Sequence, residues 1–299
     1  MEDPVFIDIH MHVVRKKTLA RNEEGDYFYA TPEEMIELMD RTGVDKGVLS
    51  PYTNPECITQ YSTVEDVLEV CETYPDRFIP FCCVDPRAIS NSPDANLSRH
   101  LEYYKERGCK GVGEVCPNLY FDDPLVQNLF KHCEKCDMPV LFHIAVQIGG
   151  AYGVVDDLHL PRLEKCLQTF PNLIFIGHSQ AFWSEIGSDV TDENRNGYPE
   201  GRVEPGGVVP RLLEHYPNMY GEISARSGYS ALTRDPEFGY EFIDRFQDKL
   251  LFGTDTSSPS NDHRHAELMR TLHAEGHIST AAFEKISWQN INRILKLGL

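Results

Sequence analysis

VFIDIHMHVV, residues Val5 to Val14, is an apolar run that carries two histidines one residue apart. Side chains alternate faces along a β-strand, so His10 and His12 fall on the same side as Asp8, with Ile7, Ile9 and Met11 on the other. A lone histidine in such a run is most often a core residue hydrogen-bonded to backbone. Two at the end of an apolar strand aim two ring nitrogens at one point, and imidazole is the commonest metal ligand. The rest of the chain decides between these readings.

Seven further apolar, β-branched runs follow: VDKGVLS from Val44, RFIPFCCV from Arg77, CKGVGEV from Cys109, PVLFHIAV from Pro139, NLIFIGHS from Asn172, NMYGEIS from Asn218 and KLLFGTD from Lys249. Helical segments separate them. Thr31-Pro32-Glu33-Glu34 is a capping box with proline at the first helical position, and Gly43 follows the last periodic residue. The same signals place helices over 62–73, 94–107, 123–136, 159–170, 209–216, 236–246 and 263–275, with one or two closing helices over 280–297. Near-continuous apolar strands suit a parallel sheet covered on both faces, and eight of them alternating with eight helices predict a (β/α)8 TIM barrel of the α/β class. The 299 residues are expected to form one such domain. The exception to the spacing is the polar, Gly- and Pro-bearing stretch 183–210, expected to be a loop that closes over the site.

A net charge of −19 with no basic block argues against nucleic acid or an anionic membrane as partner. No apolar run reaches the ~18 residues of a membrane span, and strand-like sequence begins at Val5, so a cytoplasmic protein acting on a small molecule is expected, with a homodimer as the default assembly. Nine cysteines, an odd number with scattered spacing, predict reduced thiols rather than a disulfide framework.

With the strands so placed, metal-ligand and acid/base residue types sit at their C-terminal ends: His10 and His12 on the first, Glu114 on the fourth, His143 on the fifth, His178 on the sixth and Asp255 on the eighth. Barrel active sites are built at that face. Six such groups buried without partners would each cost a few kcal/mol, whereas a shared cation accounts for all of them. Nitrogen and carboxylate donors without thiolate suit a divalent ion of the zinc class, at one or two per chain.

These motifs carry a family likeness. DIHMH, YPDRFIPFCCVDP, KGVGE, VLFHI, FIGHS, LLFGTD and the closing NINRILKL resemble, over essentially the whole chain, the amidohydrolase superfamily of metal-dependent (β/α)8 barrels. The nearer likeness is to the amidohydrolase-2 group, which includes aminocarboxymuconate-semialdehyde decarboxylases and related hydrolases. The resemblance implies that His10, His12 and Asp255 hold one metal and that His143 joins them or binds a second ion. It makes His178 a further ligand or a group that polarises substrate. Where many members carry lysine on the fourth strand this chain has Glu114, a carboxylate that can bridge two metals.

The chemistry so implied is hydrolysis of a small amide, ester or lactone by metal-activated water, with Asp255 accepting and returning the proton and His178 helping to stabilise the oxyanion. The alternative is nonoxidative decarboxylation of a small carboxylic acid, with Arg226 orienting the carboxylate. Glu222 is expected to pack or to support a ligand, Tyr152 and Trp183 to wall the pocket, and Arg15, Lys16, Lys17, His263 and His265 to face solvent.

Overall fold

The computed structural model describes residues 6–56, 58–261 and 264–299. Eight strands alternate with eight helices. They are β1 (Ile7–Met11), α1 (Pro32–Thr42), β2 (Lys46–Leu49), α2 (Val64–Thr73), β3 (Phe78–Pro80), α3 (Ser98–Glu106), β4 (Val112–Val115), α4 (Pro124–Lys135), β5 (Val140–Ala145), α5 (Pro161–Thr169), β6 (Phe175–His178), α6 (Val208–His215), β7 (Met219–Glu222), α7 (Pro236–Arg245), β8 (Leu250–Leu251) and α8 (His265–Ala274). All strand pairs are parallel, in two runs: β1 to β3 and β4 to β8.

Backbone hydrogen bonds join the two runs into a ring. Cys82 N donates to Gly111 O and Gly113 N to Cys82 O, linking the end of β3 to β4; Ile9 N donates to Phe252 O, and Asp255 N to His10 O, linking β8 to β1. This is the expected (β/α)8 barrel.

Local chemistry explains the element ends. Thr31 and Glu34 close the expected capping box on α1, and Gly43 ends that helix with φ 69°, a left-handed conformation that glycine adopts without strain. The closing helices Thr280–Glu284 and Asn290–Leu295 cover the bottom of the barrel, where Ile286 O accepts from Phe252 N. There Phe6 packs edge-on against Phe252 and Phe283, with ring centroids 4.8 and 5.5 Å apart.

Three features depart from the expectation. A helix at Ala225–Thr233 lies between β7 and α7, a helical turn at Gln180–Trp183 follows β6, and Val154–Val155 adds a short parallel strand beside β5. All eight described cysteines are free and buried, Cys133 and Cys136 among them; Cys57 and His263 lie outside the described residues. Among the described residues no helix is long and apolar enough to cross a membrane.

Candidate metal centre

His10 and His12 leave β1 on one face and meet, Nε2 to Nε2, at 2.9 Å. The other ring nitrogens fix what those atoms carry. His10 Nδ1 faces Glu222 Oε1 at 2.9 Å and His12 Nδ1 faces Ser50 O at 2.9 Å. Neither a carboxylate nor a carbonyl can donate, so each Nδ1 holds a hydrogen, and it is Nε2 of each ring that faces inward and would offer its lone pair to a cation. His178 obeys the same rule, with Nδ1 2.5 Å from Glu222 Oε1 and Nε2 inward.

Two carboxylates close the ring of donors. Asp255 Oδ1 lies 3.6 and 3.5 Å from the Nε2 atoms of His10 and His12, and its Oδ2 lies 3.6 Å from Nε2 of His178. Glu114 Oε2 is 3.6 Å from both His10 and His12 Nε2, and Oε1 is 3.8 Å from His178 Nε2. Two overlapping sets result, His10–Glu114–His178 and His10–His12–Asp255, with ligand atoms within 4.8 Å of one another in each. Lone pairs and anions converging in a buried space repel unless a cation lies among them, so the donor set fits a divalent metal.

His143 stands one step back. Its Nδ1 donates to Glu114 Oε1 at 2.9 Å, and its ring packs on Tyr152 with centroids 4.4 Å apart. It belongs to neither donor set; in this rotamer its Nδ1 is spent on Glu114.

Glu222 supports two ligands at once, contacting His10 and His178 and accepting from Ser224 N at 2.7 Å. Burial pushes its carboxyl up, but the His178 charge and the hydrogen bonds from both rings more than offset this and hold it well below the carboxylate range. Gly253 makes room for it, since a methyl there would sit 2.9 Å from Glu222 Oε2. Asp255 is likewise drawn down, burial being outweighed by the His10 charge and the His12 hydrogen bond. Its backbone is left-handed at φ 55°, a costly conformation for a residue with a Cβ, held by the Asp255 N to His10 O bond. Asp8 ties the same seam by accepting from the backbone N–H of His10 and Thr254; burial raises its carboxyl to about 7.

The cleft above the donors is walled by Tyr29, Tyr52, Tyr152, Asn54 and Arg21. Tyr52 stacks on His12, centroids 4.2 Å apart and planes 12° from parallel. Arg21, which sequence reasoning missed, is fixed by a 2.7 Å bond from Nη1 to Ser257 Oγ and by the ring of Tyr29, 4.3 Å from its guanidinium carbon. Its signal was slight: one arginine ahead of two tyrosines in the loop after β1.

A second cavity adjoins across Asp255, Ser257 and Arg21, and Arg226 and Arg264 line it. Arg226 is exposed there and stacks over Tyr198 at 4.3 Å. No residue of the 183–210 stretch lines either cavity, which corrects the expected lid; among the described residues that stretch meets the site through Tyr198 on Arg226 and, from behind, through Trp183 on the backbone of Glu222. Trp183 is no pocket wall of the metal site either, being buried with Nε1 on Glu222 O at 2.9 Å. His265 is buried against Ala225 O rather than solvated, whereas Arg15 and Lys17 pair with Glu69 and Glu34 at the surface as expected.

Solved structures share this architecture. An uncharacterised TIM-barrel protein from Bordetella bronchiseptica is 19% identical, with 97% of this chain and 98% of that one covered at a TM-score of 0.67. A dihydroxybenzoic acid decarboxylase from Polaromonas with bound manganese and 2-nitroresorcinol is 17% identical, covering 99% and 98% at 0.62. A 5-carboxyvanillate decarboxylase from Sphingomonas paucimobilis is 15% identical, covering 98% and 99% at 0.60. Among curated proteins none matches this chain in sequence. The family model described as amidohydrolase matches residues 7–297, a span that takes in every strand bearing a metal-site donor, and the chain belongs to the amidohydrolase family.

Proposed function

We propose that this enzyme removes the carboxyl group of a small hydroxylated aromatic acid without redox change, in a site that holds a divalent metal. The observation that carries this reading is Arg21. Among the described residues both of its side-chain hydrogen bonds, to Tyr27 and Ser257, use Nη1, which leaves Nε and Nη2 for a ligand in the cleft, a fork that matches a carboxylate. Tyrosine walls suit a planar ring, and two solved neighbours are named as decarboxylases of dihydroxybenzoic acid and 5-carboxyvanillate.

His10, His12, Asp255, Glu114 and His178 would hold the metal, which when bound supplies positive charge against developing negative charge on substrate oxygens. Arg21 orients the substrate carboxylate. Asp255, kept ionised, takes the proton of the adjacent ring hydroxyl and returns it to the carbon bearing the carboxylate. The carbon–carboxyl bond then breaks, its electron pair returns to the ring, carbon dioxide leaves, and the phenolate takes a proton from water. Zinc and manganese both suit these donors, and the Polaromonas neighbour holds manganese.

Hydrolysis is the second reading. It is favoured by Glu114, which turns toward His10, His12 and His178 as a carboxylate bridging two metals would. Metal-loaded protein offered a panel of ortho-hydroxy aryl acids decides the matter: carbon dioxide should be released one for one with loss of acid. Ester or lactone cleavage with no carbon dioxide from any acid would replace the first reading by the second.

A further inference from the structure

The stretch after β6 encloses charge that the metal site does not use. Arg234, just past the helix Ala225–Thr233, has a side chain only 5% exposed, yet its Nε, Nη1 and Nη2 make no hydrogen bond. Its one ion-pair partner among the described residues is Asp189, 3.8 Å away and itself 38% exposed. Arg195, buried in the same stretch, leaves Nε and Nη2 unbonded and reaches only the exposed Asp192, at 3.9 Å. A guanidinium out of water without partners is among the costlier arrangements in a protein interior, so something must answer this charge.

The cavity beside Arg234 says what. It is lined by Gln180, Ser184, Tyr198, Ser227, Ser230 and Arg234, among others, and no carboxylate faces it. Gln180 Nε2 donates to Tyr198 Oη at 3.1 Å, leaving the phenol hydrogen to donate elsewhere. Among the described residues the Ser227 and Ser230 hydroxyls have no hydrogen-bond partner, while Ser184 Oγ donates to Arg195 O at 2.8 Å. The Tyr198 phenol and the two serine hydroxyls can therefore donate into the cavity beside a positive charge, and the space has room for one small particle.

We propose that this cavity is a halide site, holding one chloride-sized anion against Arg234, Tyr198, Ser227 and Ser230. A neutral water could fill the space but would leave the long pair with Asp189 as the only answer to the guanidinium charge among the described residues. The anion would knit the stretch 184–207 to the helix Ala225–Thr233. Because Tyr198 both lines the cavity and stacks on Arg226, it would also steady the arginine beside the metal site.

The test uses the full chain at constant ionic strength, replacing sodium gluconate with sodium chloride. The melting temperature should rise by about 3 °C or more for the wild type and stay unchanged for Arg234→Met. A rise of equal size in the variant, a rise with sulfate but not with halide, or no rise at all would overturn the proposal. If Arg234→Met does not fold, wild-type crystals in bromide decide it. An anomalous peak within hydrogen-bonding reach of Arg234 supports the site, and ordered water alone in the cavity refutes it.

Discussion

The loop after β1 and the loop after β6 invite comparison. The second is the longer and more polar, the kind of segment expected to cover a barrel mouth, yet it turns away and encloses its own cavity around Arg234 and Trp183. The first is shorter and supplies Arg21, Tyr27 and Tyr29 to the cavities above the metal donors. Length therefore does not decide which loop serves the site. What commits a segment is a set of side chains that find partners there, as Arg21 does on Ser257 and the tyrosine rings.

The comparison can be broken or sharpened by measurement. The largest effect belongs to the shared floor beneath both loops: His10→Ala should lose metal and turnover together, read by metal analysis beside an activity assay. Asp255→Asn keeps an oxygen near the donors but removes a base, so metal should be largely retained while kcat falls by on the order of 10²-fold or more. Near-normal turnover in that variant would move the proton transfer to Glu114 or His178. Next comes the loop after β1. Arg21→Met removes a charged hydrogen-bond partner worth roughly 1.5–3 kcal/mol, so kcat/KM should drop by about 10- to 100-fold, chiefly through KM. The smallest effect belongs to the loop after β6. Tyr198→Ala deletes a stacking contact worth about 0.5–1 kcal/mol and should raise KM by only about two- to fivefold. A larger loss in Tyr198→Ala than in Arg21→Met would reverse the assignment of the two loops.

Much of this was legible in the sequence, for reasons that can be named. Short apolar runs and capping boxes are local, so strands such as Phe175–His178 and helices such as Pro32–Thr42 were predicted within a few residues. The helix Ala225–Thr233 was missed because ARSGYSALT has no clear apolar stripe; its Gly228 packs so closely that a methyl there would meet Ile223 O at 2.2 Å. Convergence of His10, His12, Glu114, His178 and Asp255 followed from strand ends alone, since the barrel brings those ends together. His143 shows the limit, because spacing places a residue at the mouth but not the turn of its ring, which Glu114 and Tyr152 determine. Arg21 was out of reach for another reason: the path of a loop depends on tertiary partners, and Ser257 lies 236 positions away in the chain.

The carboxylate of Glu222 has a bearing on how this site can drift over generations. Since one side chain orients both His10 and His178, and Gly253 leaves just enough space beneath it, these four positions cannot vary one at a time. A shortened acid at 222 would release two rings in a single step, and a larger residue at 253 would do the same from below. Substitutions here should accordingly travel as a linked set among descendants, whereas the part of the loop after β6 beyond Trp183, which meets the mouth through the Tyr198–Arg226 pair, is freer to change length and composition.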